Sequence, residues 1–284
     1  MTRVTIHLDG SPKLAVTTDL SRGTSIALEL DFDGEQPRAF GLSKATSQPL
    51  KLEDFVTSVA QGGAVNCMQL TLWPHGNGTH TETVGHLLKD PPPIGRIFPG
   101  FQLALVLTVS PETLGLTQES YPSPALSSDR VISLRALKDA LRHSMQHTFK
   151  TPPELPPTAL VIRTLPNILE HKRAADYSDT NPPYLTAEAM RWVRHELEAE
   201  HLLIDLPSVD REHDQGKLSN HRCFWDVGEA HTTLAQDHAR RLCTITEMVY
   251  VPDTIQDGLH LLQIELPALR TDAAPSRPIL YPID

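Results

Sequence analysis

The sequence predicts a mixed α/β fold, rich in strands and sparing with helices, contained in a single domain spanning residues 1–284. Three observations carry that expectation. Apolar residues recur in short runs, some alternating and some continuous, which is the pattern of half-buried and fully buried strands. Only residues 133–147 and 186–200 repeat at helical period. The second of these is followed at once by Leu202-Leu203-Ile204-Asp205, so helix, short turn and buried strand succeed one another as in an α/β layer.

Taken in order, residues 3–7 and 14–17 flank the turn residues Asp9-Gly10-Ser11-Pro12 and predict an edge hairpin. Residues 25–32 continue the strand pattern, and these N-terminal strands, up to residue 60, belong to the same domain. Residues 39–42 form a short apolar group, and residues 52–60 read as a strand or a helix without deciding between them. Residues 65–73 alternate and run straight into a His-rich stretch. Residues 87–100 are proline-rich and predict a structureless loop that could act as a lid. Residues 103–109 and 159–162 are continuous apolar strands. Ser133 caps the first helix, with Leu134, Leu137, Leu141 and Met145 on one face. Thr186 caps the second, with Met190, Val193 and Leu197 inward. Residues 245–251 alternate and carry one carboxylate, Glu247.

Composition narrows the function. Hydrophobic residues at 39% and charged residues at 21% suit a soluble globular chain, and 24 prolines imply many loops. A net charge of -10 without a Lys/Arg cluster argues against nucleic acid or an anionic membrane surface as partner. Cys67, Cys223 and Cys243 make an odd set without disulfide or zinc-type spacing, which fits reduced thiols in a cytoplasm. The stretch MTRVTIHLDG alternates like a strand and lacks the apolar core of a signal peptide, and no eighteen apolar residues run together, so a cytosolic protein is expected.

The stretch that points to chemistry is His75-Gly-Asn-Gly-Thr-His80-Thr-Glu82-Thr-Val-Gly-His86. Neutral imidazoles and a carboxylate suit zinc or another divalent first-row ion, and the glycines let the backbone bend until side chains converge. His80 and Glu82, two apart, share one side of an extended segment. Downstream, Glu247 stands in the apolar part of a strand, where a buried charge demands a positive partner such as a metal. The alternative is a solvent-facing position on an edge strand. His221 read alone is an ordinary surface histidine, as are His201, His213, His231 and His238.

Read in order, these residues resemble the cyclase-like metal-dependent hydrolases, the family of bacterial kynurenine formamidase and isatin hydrolase. The family pattern is a His, Gly-Thr-His, an acidic residue two further on and another His four beyond. Here Gly78-Thr79-His80, Glu82 and His86 occupy those places. Leu203-Ile204-Asp205 with Pro207-Ser208-Val209-Asp210 resembles the family's strand and Asp-x-x-Ser-x-Asp turn, and Glu247 its Ile-x-Glu strand. The resemblance covers most of the chain from Gly62 onward. It implies a swivelling β/β/α-type domain with a mixed or barrel-like sheet. It further implies His75, His80, Glu82, His221 and Glu247 as metal ligands, Glu82 bridging if two ions are bound, and His86 as general acid/base. The cofactor expected is one or two divalent ions, zinc first and manganese or iron next, in a homodimer acting on a small molecule.

Three departures from the pattern stand out. Glu82 replaces the usual Asp. His75 lies five residues before His80 rather than four, with Gly76 in the expected place, so a bulge at Gly76-Asn77 is needed to restore it. A long insertion, residues 226–240, separates His221 from Glu247, which leaves His231 or His238 as rivals of His221. The reaction implied is hydrolysis of an amide-like C–N bond, in a formamide or cyclic amide, by metal-activated water, with His86 protonating the leaving nitrogen. A lactonase or cyclase acting on a C–O bond, or a catalytically silent binder, are the alternatives. Trp73, Phe98, Phe101, Phe224 and Trp225 are candidates to line an aromatic-accepting pocket, against an ordinary use in core packing.

Overall fold

The computed structural model describes residues 3–7, 15–52, 55–97, 100–147 and 156–283. The continuous apolar runs become strands buried on both faces, as parallel strands require. In chain order, the main sheet comprises β1 (Thr24–Ser25), β2 (His80–Thr83), β3 (Phe101–Val109), β4 (Ala159–Thr164) and β5 (His201–Ile204). It continues with β6 (Thr244–Glu247), β7 (Gly258–Glu265), β8 (Ala273–Pro275) and β9 (Arg277–Pro282). Across the sheet the order is β8-β2-β6-β5-β4-β3-β7-β9-β1. The four central strands β6, β5, β4 and β3 are parallel, and every pairing outside them is antiparallel. The fold is therefore mixed α/β and β-rich.

Alternation along the strands separates two cores. Leu105, Leu107, Leu160, Ile162, Leu202, Ile204 and Ile245 face the helices, packing with Leu137, Met190, Phe224 and Trp225. Ala104, Val106, Val161 and Leu203 face the other way, against Ile26, Val249 and Leu262. The helices are few: α1 (Leu134–His147), α2 (Leu169–Ala174), α3 (Ala187–Arg191) and α4 (Ser219–Trp225). Ser133 Oγ accepts from the Ala136 N–H at 3.0 Å, and Thr186 Oγ1 from the Ala189 N–H at 3.1 Å, so both expected caps form. Helical backbone continues past α3 as a π-turn, Trp192–Glu196, where a plain helix was expected. No helix of the described residues is long and apolar enough to cross a membrane.

The N-terminal third departs most from the sequence expectation. Arg3–His7 and Ala15–Asp19 pair antiparallel, although the Asp9–Pro12 turn lies outside the described residues. Of residues 25–32 only Ser25, and a bridge from Ala27 to Val249, join strands. Met68–Thr71 pairs with Thr46–Pro49 in a two-stranded ribbon apart from the main sheet, and all four of its residues are exposed. Its alternation was real but has no core to face. Residues 87–97 are pinned rather than lid-like: Ile94 and Ile97 are buried beside Ala274, and Ile94 N–H donates to Thr271 O at 2.8 Å. Phe98 and Pro99, within the proposed lid, lie outside the described residues.

Candidate metal centre

The His-rich stretch does not simply trail off the 65–73 strand: His80–Thr83 within it is β2, an inner strand of the main sheet, and a 3-10 turn, Val84–Leu87, follows and carries His86. Alternation puts His80 and Glu82 on one face and Thr81 on the other, where its hydroxyl meets Thr246 Oγ1 at 2.7 Å. The register with β6 sets His80 opposite Glu247, and their Nε2 and Oε2 atoms are 3.4 Å apart. Glu247 is 3% exposed, which removes the solvent-facing alternative.

Backbone geometry aims the imidazoles. Gly78 adopts φ 75°, a left-handed conformation suited to glycine, and its carbonyl lies 3.0 Å from His80 Nδ1. A carbonyl can only accept, so Nδ1 carries the proton and Nε2 is left bare toward the centre. Thr79 Oγ1 fixes the same turn by donating to Met248 O and accepting from Leu28 N–H. His221 projects from α4. Its Nδ1 is 2.6 Å from Asp210 Oδ2, which again leaves Nε2 free, 2.9 Å from Glu82 Oε1 and 3.7 Å from Glu247 Oε1. Asp210 is buried, and it also accepts from Tyr121 OH at 2.6 Å and from the Asn220 and His221 N–H groups.

His75 reaches the centre from a turn. Trp73 O accepts from both Gly76 N–H and Asn77 N–H, and Asn77 Oδ1 accepts from Trp73 N–H, so a closed turn takes up the additional residue where a bulge was expected. His75 Nδ1 lies 3.1 Å from Glu82 Oε2 and its Nε2 2.9 Å from Asp272 Oδ2. His86 sits at the rim, its side chain 27% exposed, with Nδ1 3.6 Å from Asp272 and 3.9 Å from Glu82.

Burial opposes charge on Glu82, but the attraction of His221 and His86 and bonds from His221 and His75 outweigh it and hold the carboxyl well below the usual range. Burial likewise opposes protonation of His75, while Asp272 and Glu82 raise its pKa to about 10. His221 is driven upward against its burial, chiefly by Glu82 and Asp210. Bonds from His75 and His86 hold Asp272 low.

Whether the residues fit a metal is decided by their unused atoms. His80 Nε2 and both Glu82 oxygens are fully buried, and beyond the imidazole–carboxylate contacts above none of them makes a hydrogen bond of good geometry. Such orphaned groups are rare and costly in a protein interior. Ligand atoms of His75, Glu82 and His86 converge in one cluster and those of Glu82, His221 and Glu247 in another, with Glu82 common to both. Imidazole nitrogens and carboxylates without thiolate form a donor set for a divalent first-row ion.

Comparison with known proteins agrees with this. The family described as "Putative cyclase" matches residues 16–211. The chain belongs to this family. No curated protein is similar enough in sequence to count as a match. Among solved structures, isatin hydrolase A from Labrenzia aggregata superposes with TM-score 0.58 at 14% identity, over 93% of this chain and 94% of that one. A "predicted metal-dependent hydrolase" from Bacillus stearothermophilus gives TM-score 0.51 at 12% identity, over 91% and 97%. Likeness at this identity establishes a shared fold.

The remaining expectations for this cyclase-family chain divide. His231 is exposed in a turn and His238 accepts from Arg240 N–H, and neither joins a cluster of metal-type ligands among the described residues. Phe224 and Trp225 are buried in the helix-side core, Trp225 stacking near His221 at 5.8 Å. Trp73 is half exposed, and Phe101 lies against Tyr281. Phe98 is outside the described residues. Asp272 escaped the sequence reading because Arg270-Thr271-Asp272 carries no motif; only its place before a short strand hints at a fixed position.

Proposed function

We propose that this cyclase-family chain is a metal-dependent hydrolase that cleaves the C–N bond of an amide-like small molecule, a formamide or a cyclic amide. The observation that carries the reading is the convergence of His80, Glu82, His221 and Glu247, in which His80 Nε2 and the two Glu82 oxygens are buried without a hydrogen bond of good geometry. His80, Glu82, His221 and Glu247 would hold a divalent ion, and His75 would join Glu82 as a ligand on its outer side, toward a second ion if two are bound. A bound ion there supplies Lewis-acid polarisation of a carbonyl and acidifies water.

The chain's own residues supply the rest. Gly78 O and Asp210 hold His80 and His221 with Nε2 inward, so neither ring must reorient when substrate arrives. The two buried carboxylates, Glu82 and Glu247, would balance the charge of a divalent ion. His86, partly exposed at the rim, would take a proton from water and return it to the leaving nitrogen, a task for which an imidazole can serve both as acceptor and as donor. The fold shared with isatin hydrolase supports a cyclic-amide class of substrate.

Metal content of protein purified without added metal, compared with His80→Ala, tests the centre. Bound metal that is lost in the variant is expected; no metal in either, even after reconstitution, sinks the reading. A panel of amides and lactones then tests the bond. Turnover confined to lactones would replace the amidase by a C–O hydrolase.

A further inference from the structure

We propose that Asp272 is a positioning residue that brings His75 into the centre despite its five-residue spacing from His80. The proposal rests on the metal reading above, and the residue it assigns, Asp272, lies beyond the segment the family match covers, which ends at 211.

The turn at Trp73–Asn77 absorbs the additional residue and fixes the backbone, with Asn77 Nδ2 donating to Ser43 O at 3.0 Å as a further tie. Backbone alone does not aim a ring. The His75 imidazole lies between two carboxylates, Glu82 Oε2 3.1 Å from Nδ1 and Asp272 Oδ2 2.9 Å from Nε2. With a ring proton on Nε2 shared with Asp272, Nδ1 is the nitrogen that would face an ion held beside Glu82. That is the arrangement of a ligating histidine braced by a carboxylate.

Asp272 is itself held. Its carbonyl accepts from Thr83 N–H at 3.0 Å and Thr83 Oγ1 at 3.1 Å, and the next residue, Ala273, is paired with Glu82. The brace and the strand that carries His80 and Glu82 are therefore joined through the backbone, independent of the Asp272 side chain. Truncating that side chain removes the brace and leaves the pairing. The same carboxylate lies 3.6 Å from His86 Nδ1, whose ring packs on His75 at 4.3 Å between centroids.

The test is zinc affinity of the full chain, stripped of metal and titrated in competition with a chromophoric chelator, for wild type, Asp272→Ala, Asp272→Asn, His75→Ala and the double alanine variant. Asp272→Ala is expected to weaken the least tightly held zinc by about 10–100-fold. His75→Ala should weaken it at least as much, and the double variant no further than His75→Ala. Asp272→Asn, which keeps an acceptor, should recover part of the loss. Zinc bound equally by wild type and Asp272→Ala, or losses that multiply in the double variant, would overturn the positioning role alone. A wild-type chain that takes up no zinc would overturn the metal reading, and this proposal with it.

Discussion

Glu82 is surrounded by His75, His86 and His221, and its two oxygens belong to two different clusters of ligand atoms. Opposite His80, Glu247 completes the inner cluster, and Glu247→Gln is expected to weaken metal binding, because the amide keeps the shape but loses the charge. Unchanged metal content by elemental analysis would remove Glu247 from the centre. His86→Ala is expected to keep metal and lower turnover by about 10²–10⁴-fold, the usual worth of a general acid/base; stopped assays on metal-loaded variant decide it. Away from the centre, burial pushes His201 down to about 4, and its Nδ1 lies 2.8 Å from Thr244 Oγ1. A histidine whose folded pKa is depressed stabilises the fold above its unfolded pKa of about 6.5, and that contribution is lost as pH falls from there toward 4, on the order of 3 kcal/mol. His201→Gln should flatten the acid limb of stability measured by denaturation between those pH values. Spacing made His80, Glu82 and His86 legible in the sequence. Asp272 was not, since a lone carboxylate in a turn has no pattern until the sheet pairs its neighbour with Glu82.

Elements are held by devices of their own. Helix α2 is tied to the ends of β4 and β5 through Lys172, which pairs with buried Asp205 and donates to Thr164 O and Asn167 Oδ1. Asp205 in turn accepts from Thr164 N–H and Oγ1. Lys172→Ala leaves that carboxylate buried without its cation and is expected to cost about 3–5 kcal/mol in urea unfolding. Lys172→Met with Asp205→Asn should recover part of it. The strands β3, β4 and β5 and the helix caps were readable because continuous apolar runs and capping hydroxyls are local signals. The 65–73 run misled for the opposite reason. Alternation shows that a strand has two unlike faces, but not which sheet it joins, and Met68 and Leu70 remain exposed.

For the whole molecule, a ligand that binds only the folded chain adds stability by mass action. At a hundredfold excess over its Kd a metal contributes about 2.7 kcal/mol, so chelation should lower the Tm by about 5 °C and zinc restore it. A Tm indifferent to chelator and metal would argue that the buried Glu82 and His80 are tolerated empty. Sheet order was beyond the sequence: β2 lies between β6 and β8, strands that follow it by more than a hundred and sixty residues, and no local rule predicts that pairing.

That pairing has a consequence for synthesis. While the chain emerges from the ribosome, the segment bearing His80 and Glu82 has neither of its neighbours until residues 244–247 and 273–275 follow. A nascent chain that stops short of those strands therefore cannot bring Glu247 and Asp272 beside His80 and Glu82, and the proposed centre would form only once residue 275 has been added.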